Sequence, residues 1–285
     1  MSTLAVIDAD SIVYAAAFAA QDWAIFDEDG NMCNVYDSKS DAKEAAIHAG
    51  DVVEPQPRSD DDAKANADSI IDSIIVDVNP DQLQVWLTHP DSSANFRKSV
   101  DPNYKENRRN FVKPYHFKTV RQHLLDSWDA EVSREGWEAD DELSAQGWTH
   151  WNYGDWSETV VLCSIDKDLD TVPGHHYRWR TYNRDAKSYH LSVSDAVYNY
   201  WISVLTGDNA DNIPGLHRVG PKIAERTVAE CNTPREYYEA CLEKYQEVLG
   251  KEDMTPEEIK TRMHTNCTLL HLLRHDNDKW EPPEV

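Results

Sequence analysis

The apolar positions of this chain fall into short runs that end in acid. Residues 3–10, TLAVIDAD, hold a brief apolar stretch closing on two aspartates, the pattern of a buried strand with carboxylates at its carboxyl end. The next residues, SIVYAAAFAA, predict a helix, and WAIFDEDGNMCNVY (23–36) predicts a hairpin about Asp29-Gly30. SDAKEAAIHAG (40–50) reads as a short helix with Ser40 as N-cap and Gly50 as its stop. The polar, Pro-containing stretch 51–62 reads as a loop, and AKANADSIIDSIIVDV has helical periodicity. DQLQVWLT (81–88) predicts a second strand that delivers Asp91 just past its end.

Further along, FKTVRQHLLDSW predicts a helix, AEVSREG a third strand, and ETVVLCSIDKD (158–168) the clearest strand of all, again ending in acids. HYRWRTYN and SYHLSV add β-like pieces. From residue 195 the pattern is helical, in SDAVYNYWISVLTGD and in segments 235–249 and 255–275. Strands alternating with helices predict an α/β fold with a largely parallel central sheet, in which ligands sit beyond the carboxyl ends of the strands.

Composition sharpens this. The chain has 285 residues, 40% hydrophobic, with ten tryptophans, which predicts a folded globule with a substantial core. The longest early uncharged run, residues 11–21, is too short to cross a bilayer and has no basic segment before it, so no membrane partner and no targeting segment are expected. Five cysteines (33, 163, 231, 241, 267) form no CxxC pair; a zinc site and a disulfide framework are not indicated, and a reducing, cytoplasmic setting fits. The acidity, with Asp over Glu at 32 to 20 and 14 lysines, resembles adaptation to salt.

Net charge is −24, which taken whole argues against a nucleic-acid partner. The charge is uneven, however. Residues 97–121 carry eight Lys/Arg against two Asp/Glu, a local +6 that leaves −30 on the remaining 260 residues. Screening over roughly 10 Å makes such a local island govern contact.

The acids gather at strand ends: Asp8 with Asp10 near it, Asp91, Glu138, Asp140, Asp141, Asp166, Asp168, Asp208 and Asp211. Any one pair is adequately explained as a turn former or helix cap. Five segments converging on one sheet edge call for something positive between them. Oxygen donors select Mg²⁺ or Mn²⁺ over zinc, and a handful of carboxylates can hold two such ions about 4 Å apart, the arrangement that hydrolyses phosphodiesters.

TLAVIDADSIVY, NFRKSVDPNYKENR, EADD, VVLCSIDKDLDTVPG and LTGDNADNIPGLHRVGPKIAERT stand in the order seen in the 5′-nuclease superfamily, which the chain resembles over nearly its whole length. The likeness is to phage 5′–3′ exonucleases, particularly of the podovirus kind, to flap endonucleases, and to the 5′-nuclease domain of bacterial DNA polymerase I. The GD-x-x-DNIPG motif followed by VGPK is its most specific part. The resemblance implies a PIN-like α/β nuclease core over residues 1–194 with a helical arch at about 92–125. It also implies a helical DNA-binding region over 195–285, with a helix–hairpin–helix element at about 213–227. By likeness, Asp8, Asp91, Glu138 and Asp140 form a first metal cluster, and Asp141, Asp166, Asp168, Asp208 and Asp211 form or support a second, with Asp10 behind them. Lys105 and Arg108 would hold the scissile phosphate, Tyr104 would stack on a base, and Arg97 and Lys98 would stand at the base of the arch. Gly215, Gly220 and Lys222 would meet a DNA phosphate, where turn carbonyls bind K⁺ in some relatives. Arg109, Lys113, Lys118 and Arg121 are equally well read as a solvated helix face. Relatives usually carry Lys or Arg where this chain has Ser203.

What this implies is a Mg²⁺-dependent 5′–3′ exodeoxyribonuclease or flap endonuclease, in phage DNA replication or host DNA degradation, acting as a monomer in the cytoplasm (the host's, if phage-encoded). Its partners would be DNA with 5′ ends, flaps or junctions, with an RNase H-type action on RNA–DNA hybrid within reach of the same site. Two alternatives stand beside it: a PIN-like ribonuclease, and a catalytically inactive, structure-selective DNA-binding protein.

Overall fold

β1 (Ser2–Asp8) is buried along Leu4, Ala5, Val6, Ile7 and Asp8, as a strand must be when it lies mid-sheet and is covered on both faces. In the computed structural model, which describes residues 2–48, 50–154 and 158–283, the elements follow in this order. α1 (Ala9–Ala19), β2 (Gln21–Phe26), β3 (Met32–Tyr36), α2 (Lys39–Ala45), β4 (Val52–Pro57), α3 (Asp60–Val78) and β5 (Gln82–Leu87) make up the first part. α4 (Phe96–Val100), α5 (Phe117–Ser127), β6 (Glu131–Val132), α6 (Ala139–Tyr153), β7 (Glu158–Cys163), β8 (Gly174–Arg178) and β9 (Lys187–Leu191) come next. α7 (Val193–Thr206), β10 (Gly207–Asp208), β11 (Ile213–Pro214), α8 (Pro221–Val228), α9 (Pro234–Leu249) and α10 (Pro256–Leu270) complete the order.

The main sheet runs β6-β5-β1-β7-β8-β9, parallel throughout except for the last pair. Side chains alternate across it. Ala5 and Ile7 pack with apolar residues of α1, α3 and α5, while Leu4 and Val6 pack with Leu143 and Trp148 of α6. It is thus a largely parallel sheet between helical layers, the expected α/β class. Because β1, β5 and β7 run the same way, with Ile7 level with Val85 and Cys163, their carboxyl ends share one edge. From α7 onward a separate apolar core forms around Trp201, Val204, Ala224, Cys241, Tyr245 and Met263.

Several expectations change. The stretch 51–62 is not a loop: β4 joins β2 and β3 in a three-stranded antiparallel ribbon, and α3 begins at Asp60 with Ser59 as N-cap. Pro55 and Pro57 are tolerated because β4 is an edge strand, where a missing N–H costs no ladder bond. The neighbouring α2 is capped by Ser38 rather than Ser40.

The stretch 92–125 is not a continuous helical arch. It comprises a 3₁₀ turn at Ser92–Ala94, α4, a second 3₁₀ turn at Glu106–Arg108, coil, and α5 from Phe117. Pro102 and Pro114 interrupt helix, and Lys105 lies at φ 57°, outside it. Within 213–227 only α8 is helical; the helix preceding the hairpin is α7. Gly215 there presses on the α7 terminus, where a Cβ would come within 2.0 Å of the Thr206 carbonyl oxygen. It is a packing glycine.

One buried ion pair ties the sheet to the helical region. Arg97, 1% exposed, donates to both carboxylate oxygens of Asp141 at 2.8 Å and to the Leu269 and His271 carbonyls at 3.0 and 2.9 Å. Asp141, 0% exposed, also accepts from the Glu138 and Leu273 amides at 3.0 Å. Breaking a buried pair by removing one partner strands the other charge, at a cost of about 3–5 kcal/mol. Arg97→Met is therefore expected to lower the unfolding free energy by about 3–5 kcal/mol in urea titration; a loss below about 1 kcal/mol would contradict this placement.

Candidate active site at the carboxyl edge of the sheet

Beyond the carboxyl ends of β1 and β7 lies a cavity of about 670 Å³, lined by Asp8, Asp10, Glu138, Asp140, Asp166, Asp168 and Asp211. Four elements deliver them. Asp8 ends β1 and caps α1, and its carboxylate accepts from the Ser11 and Ser164 hydroxyls at 2.8 Å. Glu138 and Asp140 stand at the N-terminus of α6, where the helix dipole favours anions. Asp166 and Asp168 follow β7, with the Asp168 amide donating to Asp166 at 2.9 Å. Asp208 closes the turn after α7 by accepting from the Ala210 amide at 2.6 Å, and Asp211 follows in the same turn.

Cations stand among these acids. Lys105 pairs with Glu138 through a short contact and lies 3.5 Å from Asp211. Arg108 pairs with Asp211 and donates to the Ala210 carbonyl at 2.9 Å. Lys167 reaches Asp208 at 2.8 Å. The Tyr104 hydroxyl lies 2.8 Å from both Glu138 and Asp211.

The result is an uneven electrostatic field. Burial works to raise Glu138, but Lys105 and Arg97 prevail and hold it at about 2. Asp208 is likewise pulled below its usual value, burial being overcome by Lys167. Elsewhere the cations stand farther off, Lys167 at 3.8 Å from Asp168 and Arg121 at 3.6 Å from Asp10. Burial, then Asp10, pushes Asp8 up to about 6, and burial with Asp166 and Asp208 pushes Asp168 up to about 7. Burial and then Asp141 carry Asp140 well above the carboxylate range, and its Oδ1 is buried without a hydrogen-bond partner. A buried, orphaned oxygen among acids that resist ionisation fits a hard divalent cation, whose charge would reverse those shifts. Among the described residues, however, no three His, Cys, Asp or Glu side chains are arranged to hold one ion. Lys105 and Arg108 stand in between.

Several expected roles move. Asp141, expected as a ligand, has its lone pairs taken by Arg97 and two amides and faces no cavity. Arg97, expected on DNA, is that buried partner. Asp91 is exposed and turned to the Ser93 amide and hydroxyl, which hold its carboxyl low; Lys98, half-buried on α4, contributes to this. Neither lines the cavity. Tyr104, expected to stack on a base, is 3% exposed and packed against Ile213 and Leu269. Asp10, expected behind the ligands, lines the cavity itself, held by the Thr88 amide at 3.3 Å and faced by Arg121 at 3.6 Å. Arg121 is therefore no solvated face residue. Lys167 was missed, although SIDKD places it between two assigned acids. At the hairpin, Gly220 caps α8 with open space around it, and Lys222 is exposed in the first turn.

The two kinds of acid should respond oppositely to neutralisation. A carboxyl whose folded pKa is raised binds its proton more tightly when folded. The stability it lends is complete below about 4 and lost as pH rises through its folded value. For Asp168 that window runs from 3.8 to about 7. In chelator at pH 8, Asp168→Asn is expected to raise stability by roughly 1 kcal/mol or more, an advantage that shrinks by pH 5. Asp208, whose pKa is lowered, contributes stability at pH 8 that is lost in acid, so Asp208→Asn should destabilise. Thermal melts of both variants across pH check the pair of signs.

No protein-family model matches the chain. It is 23% identical over 167 residues to the flap endonuclease Xni of Vibrio parahaemolyticus, a match spanning 55% of this chain and 62% of that protein. Among solved structures it is similar to the T5 D15 protein co-crystallised with metal ions, with a TM-score of 0.56, 17% identity and coverage of 94% of this chain and 92% of that one. It is similar also to the bacteriophage T5 D15 flap endonuclease in a pseudo-enzyme–product complex with DNA and metal ions (TM-score 0.56, 16% identity, 94% and 92% covered). At these identities the likeness speaks for the fold, and the fold of this chain is that of the T5 5′-exonuclease.

Proposed function

We propose that the protein is a divalent-metal-dependent 5′ nuclease that hydrolyses phosphodiester bonds in DNA at 5′ ends or near single-strand/duplex junctions. The observation that carries this reading is the cavity in which seven carboxylates from separate elements meet Lys105 and Arg108 of the basic segment. The T5 structures containing metal ions and DNA support the same reading by analogy. Asp8, Asp10, Glu138 and Asp140 on one side and Asp166, Asp168, Asp208 and Asp211 on the other would hold two ions, Mg²⁺ or Mn²⁺ by the hardness of their oxygens. Bound there, such ions supply an activated water and charge relief for the departing oxygen.

The chain's own groups account for the rest. Lys105 and Arg108 line the cavity and are long enough to meet a phosphate within it, stabilising charge that grows in the transition state. Stacking, assigned by sequence to Tyr104, passes to the rim. Phe111 is 52% exposed and lies 6.0 Å from Tyr14 and 6.3 Å from Phe18, and Lys113 stands over Phe117. Flat exposed rings beside cations suit unpaired bases, each stacked base being worth about 1–3 kcal/mol. Gly220 and Lys222, at the open N-terminus of α8, suit a duplex phosphate further along; a K⁺ ion at the hairpin carbonyls belongs to the same reading. We extend it to exonuclease, flap and RNase H-type cleavage by one site, to Mg²⁺ as the working ion, and to a cytoplasmic monomer. A PIN-like ribonuclease would need neither the basic rim nor the α7–α8 hairpin.

Purified protein given 5′-labelled duplex, flap and RNA–DNA hybrid is expected to cut with Mg²⁺ and to stop in EDTA; cleavage indifferent to chelation would end the metal reading. Asp166→Asn should lose activity by orders of magnitude. Lys105→Ala should lower the single-turnover rate roughly 100-fold with a much smaller loss of affinity. Lys222→Ala should weaken duplex binding and cut at a nearly normal rate once saturated. A Lys105→Ala enzyme that matched wild type at saturation would remove Lys105 from the chemistry.

A further inference from the structure

The ammonium of Lys105 meets two carboxylates from separate elements of the cavity lining. Glu138 comes from the α6 terminus and Asp211 from the turn after α7. Lys105 is tied there by its backbone as well, its amide donating to the Asp211 carbonyl at 2.9 Å. The residue is held at φ 57°, a left-handed conformation that costs a non-glycine residue free energy unless its surroundings enforce it. Arg108, three residues on, fastens to the same Asp211. The turn 105–108 is therefore pinned through its cations to oxygens that a divalent ion would also use, while Asp140 Oδ1 lies nearby without a partner.

Resting on the metal reading above, we propose that Lys105 is a resident counterion that competes with divalent cations for Glu138 and Asp211, so that ion binding ejects its ammonium and frees it for the substrate phosphate. A divalent ion and an ammonium repel each other too strongly at contact distance to share one pair of carboxylates in a partly buried site. The ejected ammonium keeps its tether and stays on the cavity wall, facing the space a phosphate would enter. Ion binding and phosphate binding then assist each other, and the assistance must be reciprocal. The lysine also sets ion affinity, because each ion must displace it.

Calcium, which suits oxygen donors, serves as the probe in calorimetry on the full chain without DNA. Lys105→Met, shown folded by its melting curve, is expected to bind Ca²⁺ roughly tenfold tighter or more than wild type, having lost the competitor. Lysine acylation of the wild-type protein, read by mass spectrometry, provides a second measurement that needs no variant. Modification of Lys105 should be slow in EDTA and should rise on adding Ca²⁺. Unchanged or weaker Ca²⁺ affinity in folded Lys105→Met would overturn the proposal, as would Lys105 labelling that stays flat or falls with Ca²⁺. No heat from wild type with Ca²⁺ would instead bring down the metal reading, and this proposal with it.

Discussion

Like charges collected at one place must be offset, and this chain offsets them from within. The Arg97–Asp141 pair is the deepest instance. A fully desolvated guanidinium satisfies one acid of the EADD run and at the same time fastens the Leu269 and His271 carbonyls. A buried pair of this kind is weak evidence for net stability, since apolar replacements can do as well. Its consequence is geometric. It fixes the start of α6, and with it Glu138 and Asp140, relative to both the sheet and the end of α10.

Outward from that pair the offsets become looser. Glu138 is shared by Arg97, Tyr104 and Lys105, Asp211 by Tyr104, Lys105 and Arg108, and Asp208 leans on the exposed Lys167. At the centre, Asp8 and Asp140 have no ion-pair partner among the described residues, Asp168 has only Lys167 at 3.8 Å, and all three resist ionisation. Closely paired acids thus stand beside poorly paired ones. The arrangement concentrates the unsatisfied negative potential in the cavity instead of spreading it over the −24 of the whole chain.

The sequence was most informative where periodicity and chemistry coincided. β1, β5 and β7 announce themselves as apolar runs, and the parallel packing of β1 and β7 puts Asp8, Asp166 and Asp168 on one edge, where the α6 terminus adds Glu138 and Asp140 and the turn after α7 adds Asp211. What failed was direction. Asp91 and Asp141 are acids at the same kinds of position, yet one turns to Ser93 and the other to Arg97, and neither outcome leaves a mark on spacing. Arg97 and Tyr104 sit in a basic, polar stretch that reads as surface. They are buried because Leu269, His271 and Ile213 arrive from the far end of the chain. Pro55 and Pro57 misled in the opposite sense, since an edge strand accepts residues that otherwise mark a loop.

The register of β1 bears on how such a chain comes into being. Its partners are β5, some eighty residues on, and β7, with Ser2 level with Glu158. β1 is thus flanked on its second side late, because that neighbour emerges only some 150 residues after it. Contacts so distant in sequence close slowly, and an apolar strand awaiting them is exposed to wrong partners in the interval. At roughly 5–20 residues per second of synthesis that interval lasts on the order of ten seconds. During this time α1 and α3, which follow β1 closely and cover one of its faces, are the segments at hand to shield it.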